Sequence, residues 1–300
     1  MNRTKAFTQE HIDRIVVDSR PQRLSDPDKH PIPGDHAAHV VQLAGWGQTA
    51  LAADHLLFPE LNGALPAVVA GIIRQLNIRF AGARLRPEDS EAEATRKIRS
   101  RQWSYETLLE TAINFYGLEG RWLDADERSR ALVSIRGALA EWEAREAAEG
   151  NGSIAVAVVR RFLERMKLVM NGAGMVAQTA MRIEQGLDFG RPVLVPFLDR
   201  CRAEIEANIY ARIVRAGFCR FGNDYALGLR WLRHLGFEQV STNPVLAALA
   251  YKDDPALNQV FQDEVKSHRK FAEWKADPAR FADEIALYAT LLALWDNLHV

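Results

Sequence analysis

Cysteine is scarce. The 300 residues hold only Cys201 and Cys219, which excludes a disulfide framework, and their spacing matches no zinc or thiol-redox pattern. What remains is two reduced thiols packed as small hydrophobes, a reading that goes with a reducing compartment and an expected cytoplasmic location. Long apolar runs are missing too. None reaches the roughly 20 residues that a bilayer-spanning helix needs, and the polar residues after Met1-Asn2-Arg3-Thr4-Lys5 leave no apolar signal core. Neither sign of charge dominates, with 38 Lys and Arg against 39 Asp and Glu. No global field therefore draws the chain to nucleic acid or to a membrane surface, and a small molecule or another protein is the expected partner. There is no repeat of fixed period, no low-complexity tract, and nothing that calls for a cofactor.

Helical patterning is what the chain does have, on a hydrophobic share of 48% that suffices for a sizeable core. Thr8 is placed to cap a short helix that runs to Val17 and is closed by Pro21. Residues 20–34 carry Pro21, Pro27, Pro31, Pro33 and Gly34, which neither helix nor sheet tolerates, so residues 1–34 read as an arm and an extended connector. Asp35 caps a helix predicted to continue to about Leu57. Val68, Val69, Ile72, Ile73 and Leu76 recur at helical spacing over residues 67–78. The charged run Pro87 to Arg101 reads as a solvated face, and Ser104 as the cap of the helix carrying Leu108, Leu109, Ile113 and Phe115. Asp124 with Glu127 three residues on resembles a capping box ahead of the stripe Leu132, Ile135, Leu139 and Trp142. Gly150-Asn151-Gly152 stops that helix and Ser153 caps the next, whose stripe is Val159, Phe162, Met166 and Val169. Residues 182–190 end a further helix, and residues 192–213 form a long one. Residues 35–216 are thus expected to be one large helical domain, a surface through which the chain could self-associate.

Three features of that region bear on chemistry. His36 and His39 are an i, i+3 pair that can ligate a metal, and His55 follows in the same segment. A site needs a third ligand and oriented supports that the sequence does not display, so no metal is assigned and the histidines read as helix-start and surface residues. Arg160, Arg161, Arg165 and Lys167 form a basic row that could meet a phosphate, with a solvated helix face as the simpler account. Gly172 and Gly174 lack both the preceding strand and the Gly-Lys-Ser that a phosphate-cradling loop requires, so a helix stop explains them.

The element types change after Ala216. Phe218-Cys219-Arg220-Phe221 reads as a short strand, Leu227, Trp231 and Leu235 as the helix after it, and Phe237 to Thr242 as a second strand behind the stop at Gly236. Strand, helix and strand with short junctions is the unit of a parallel barrel. The chemistry of such barrels sits at the C-terminal strand tips, where Asp224 and Asn243 would be neighbours. Ser241, Thr242 and Asn243 crowd three hydrogen-bonding side chains onto the second tip, and the following proline biases Asn243 toward extended geometry.

That second tip, Ser241-Thr242-Asn243-Pro244-Val245-Leu246, resembles the Thr-Thr-Asn-Pro-Ser-Leu signature of the transaldolase family, with Val245 in place of the usual serine. The resemblance covers residues 217–300. It implies a (β/α)8 TIM barrel of which only the first strands and helices are present, behind a helical N-terminal region. It also implies transfer of a three-carbon ketol unit between sugar phosphates through a Schiff base on a fourth-strand lysine. Carried over by position, Asn243 hydrogen-bonds the sugar, Ser241 and Thr242 are the residues before it, and Asp224 is the nearest match to the proton-transferring aspartate. No cofactor is implied. Residues 297–300 read as the first residues of a third strand, so the chain is expected to be the N-terminal part of a longer enzyme and inactive alone. Lys252, on the helix after the tip, is not the expected nucleophile. The competing expectation is a non-catalytic, all-helical interaction or regulatory module.

Overall fold

The computed structural model describes residues 7–17, 34–118, 123–224, 228–241 and 243–298. Among them are fifteen α-helices and two short strands, so the fold is mainly helical. The chain divides into two compact units, one of residues 1–164 and 182–205, the other of residues 165–181 and 206–300.

In the first unit, α1 (Gln9–Val17) is capped by Thr8, whose hydroxyl accepts from the His11 amide at 3.2 Å. Most of the connector, residues 18–33, lies outside the described residues. Asp35 caps α2 (His36–Gly45), accepting from the Ala38 amide. The single helix expected from Asp35 to about Leu57 is broken at Trp46-Gly47-Gln48, and α3 (Thr49–His55) begins beyond the break. Gly47 has φ +76, and a Cβ there would stand 3.0 Å from the Trp103 ring, so only glycine makes this turn without strain.

Next come α4 (Leu65–Gly82), α5 (Glu91–Gly117) and α6 (Ala125–Ala148). The cap of α5 is Ser90, in a reciprocal box with Glu93, and Ser104 lies buried inside the helix. The expected solvated run therefore holds the first three turns of α5, and its last member, Arg101, is fully buried. There the Arg101 guanidinium stacks 4.4 Å over Phe80 and donates twice to Glu149, at 2.7 and 2.9 Å. Phe80 also stacks on Trp142 at 5.0 Å, with Tyr105 edge-on to both rings. This aromatic cluster joins α4, α5 and α6.

Carboxylates on α6 reach the starts of other segments. Asp124 caps the helix as expected, but Glu127 turns away from it to accept from the Gly63 amide at 2.8 Å. Glu146 accepts from the Ile154 and Ala155 amides in the first turn of α7 (Ile154–Leu168), and Glu143 from the Val193 and Leu194 amides at the start of α9 (Leu194–Ala207). Each satisfies donors that a helix start leaves open. Between α7 and α9 lies α8 (Met175–Gln185).

The second unit includes α10 (Ile209–Arg215). The expected long helix over residues 192–213 is split because Asn208 leaves the helical conformation and caps α10, accepting from the Tyr210 and Ala211 amides. Strand β1 (Phe221–Asn223) pairs parallel with β2 (Phe237–Val240), with Phe221 opposite Phe237 and Asn223 opposite Val240. The connection holds α11 (Leu229–Leu232) and a 3-10 turn that ends at Gly236, φ +90. Tyr210, Phe221 and Phe237 form a ring cluster with centroids 4.9 to 5.6 Å apart. Beyond β2 the chain is helical: α12 (Pro244–Asp253), α13 (Pro255–Ser267), α14 (Phe271–Ala276) and α15 (Pro278–Leu298). Tyr251 of α12 stacks on Phe261 and donates to the Ala289 carbonyl of α15. Asn297 and Leu298, expected to open a third strand, belong instead to α15, and residues 299–300 lie outside the described residues.

Candidate functional site

Parallel pairing puts the C-terminal ends of β1 and β2 side by side. The Ser241 amide donates to the Asn223 carbonyl at 3.0 Å, which carries the ladder one step past β2. Beyond it the Ser241 hydroxyl donates to the Asp224 carboxylate. Both residues are exposed, so this polar pair faces solvent at the rim of the two strands. The structure brings together two residues that the sequence separates by a helix and a turn.

Asn243 stands two residues farther on, with φ −146 and ψ 172, the extended geometry expected before a proline. Its side chain caps α12, the Oδ1 atom accepting from the Leu246 amide at 3.0 Å, and Pro244 fills the first helical position, where no amide hydrogen is needed. The cap uses one acceptor and leaves the two amide N–H donors uncommitted to it. Sequence reasoning gave Asn243 a ligand-binding role and missed this structural one, although Asn-Pro ahead of an apolar run is itself a helix-start signal. Thr242, the remaining member of the tip, lies outside the described residues.

The arrangement offers a carboxylate that already accepts from a hydroxyl, with an amide group two residues from that hydroxyl. A polyol can exchange into such a set, one of its hydroxyls replacing Ser241 as donor to Asp224. Lys252 is exposed in the last turn of α12.

The other chemistry-bearing features have structural partners. Arg160 pairs with Asp13 at 3.0 Å, and Arg161 donates to the Val16 carbonyl at 2.7 Å, so these two members of the basic row dock α1. Gly172, φ +80, ends a 3-10 turn. Cys201 is buried, which pushes its thiol well above the ordinary range, and Cys219 is exposed. No protein-family model, curated protein or solved structure matches the chain.

Proposed function

We propose that the β1–β2 tip is part of the sugar-phosphate site of a transaldolase-type (β/α)8 barrel. In this reading the complete protein transfers a three-carbon ketol unit between sugar phosphates, and the Schiff-base lysine is supplied from outside residues 1–300. Asp224 takes the proton from the substrate hydroxyl next to the carbon–carbon bond that breaks, as that oxygen becomes the carbonyl of the departing aldehyde, and returns it to the acceptor's oxygen when the new bond forms. Ser241, Thr242 and Asn243 orient the carbon chain through its hydroxyls. The observation that carries the reading is the parallel β1–β2 pair with Asp224 and Ser241 in contact at its C-terminal end. That is where parallel barrels hold their chemistry.

Asn243 supplies the test, because its two roles separate chemically. Asn243→Asp keeps an oxygen to cap α12 but removes both N–H donors. Measured on the product of the whole reading frame that contains residues 1–300, this variant should unfold within about 0.5 kcal/mol of the wild type. Its kcat/KM for a ketose phosphate should fall roughly tenfold to a hundredfold, the loss of one or two substrate hydrogen bonds. Unchanged kcat/KM, or no turnover of ketose phosphates by the wild type, would leave Asn243 a helix cap and favour a non-catalytic helical module.

A further inference from the structure

The charged run that opens α5 does more than face solvent. Glu91, Thr95, Arg99 and Trp103 follow at steps of four residues and share one face of the helix, with Arg96 one turn before Arg99. These side chains line an open groove of about 650 Å3 in the first unit, large enough for a small molecule. Glu91 and Arg96 are exposed, while Thr95, Arg99 and Trp103 are half-buried. Trp103 is backed by the turn between α2 and α3, since a Cβ on Gly47 would stand 3.0 Å from its ring. The polar groups of the groove are mostly donors. The Arg99 Nε–H is buried without an acceptor, and among the described residues neither Arg96 nor Arg99 is paired with a carboxylate. Glu91 is 3.8 Å from Arg14, which offsets its charge.

We propose that this groove binds a small aromatic phosphate monoester, with the phosphate on Arg96 and Arg99 and the ring against Trp103. Guanidinium forks match phosphate oxygens bidentately, and two of them one turn apart reach the same group. Their two charges balance a phosphate monoester, which carries roughly two negative charges at pH 7, whereas a carboxylate would leave one guanidinium unpaired. An acceptor from outside the chain also satisfies the buried Arg99 donor, which otherwise costs free energy. The indole supplies the flat apolar surface on which an aromatic ring stacks, and the Thr95 hydroxyl is a further donor within the lining. A polyanionic strand is a poorer fit, because 38 Lys and Arg against 39 Asp and Glu leave no field that would draw one.

The test is titration of protein of residues 1–300 with phenyl phosphate by isothermal calorimetry, beside inorganic phosphate and benzyl alcohol as probes of the two halves of the ligand. One phenyl phosphate per chain is expected, bound at least roughly tenfold more tightly than either probe. Arg99→Gln should weaken it by roughly 10- to 100-fold, the loss of a charge-assisted contact. Arg96→Gln, at an exposed position, should do likewise with the far-UV circular dichroism unchanged. Trp103→Leu should lower the affinity for phenyl phosphate and leave that for inorganic phosphate as it was, which a general loss of structure would not do. Equal binding by the wild type and a folded Arg96→Gln or Arg99→Gln variant, inorganic phosphate bound as tightly as phenyl phosphate, or no saturable binding by folded wild type overturns the proposal.

Discussion

Glu146 is the residue whose chemistry the first unit uses most fully. One carboxylate accepts from two backbone amides of α7, at 3.1 Å each, and from the Tyr105 hydroxyl at 3.4 Å. Burial raises its pKa from 4.5 to about 7, against the pull of the amides, Arg101 and Tyr105 in the opposite direction. A raised carboxylate pKa means that the folded state holds a proton the unfolded state has lost. The stability this contributes is complete below about pH 4.5 and disappears as the pH rises through 7. Glu146→Gln should destabilise the protein by about 1–3 kcal/mol, because the amide nitrogen cannot accept from a backbone N–H. The gap between wild type and variant should narrow from pH 5 to pH 8 in denaturant titrations. A gap that widens instead would mean that Glu146 is held as an anion by its donors. None of this was legible in the sequence, where Glu141 to Glu149 reads as the charged end of a helix. Partners eight and nine residues away across a turn carry no local signature.

At the scale of elements, the glycines and caps decide where segments begin. Gly236 is needed twice over, since it has φ +90 and a Cβ would lie 3.0 Å from Val214 and 3.2 Å from the Ala211 backbone. Gly236→Ala should destabilise the protein by about 1–3 kcal/mol, read by thermal unfolding, because the strained conformation and the close approach add. A neutral substitution would show that the turn into β2 can be remade. At the other end of β2, Asn243→Ala should cost about 1 kcal/mol through loss of the α12 cap. Asn243→Asp should recover most of that stability in the same measurement. The sequence located β2 well because its apolar run ends abruptly in polar residues and a proline. It placed β1 too early: Gly217 sits in a left-handed turn and Phe218 stays 81% exposed, so pairing starts only at Phe221. The break between α2 and α3 rests on one glycine meeting Trp103, a contact of long sequence separation that local pattern does not reveal.

For the molecule as a whole, the helical character was legible because apolar residues recur at three and four through most of the chain, and among the described residues no helix is long and apolar enough to cross a membrane. Residues 165–181, which hold the end of α7 and most of α8, group with the C-terminal part of the chain. The strand tip was legible as a cluster of residue types, while the contact of Ser241 with Asp224 needed the parallel pairing to be known. The described residues hold one parallel pair of short strands, so the proposed transaldolase activity is best tested on chemistry and not on shape. The product of the whole reading frame should be treated with borohydride in the presence of a ketose phosphate and mapped by mass spectrometry. The account predicts a reduced three-carbon adduct on a single lysine outside residues 1–300, lost when Asp224 and Asn243 are both replaced by alanine. No adduct, or an adduct on a lysine within residues 1–300, would contradict it.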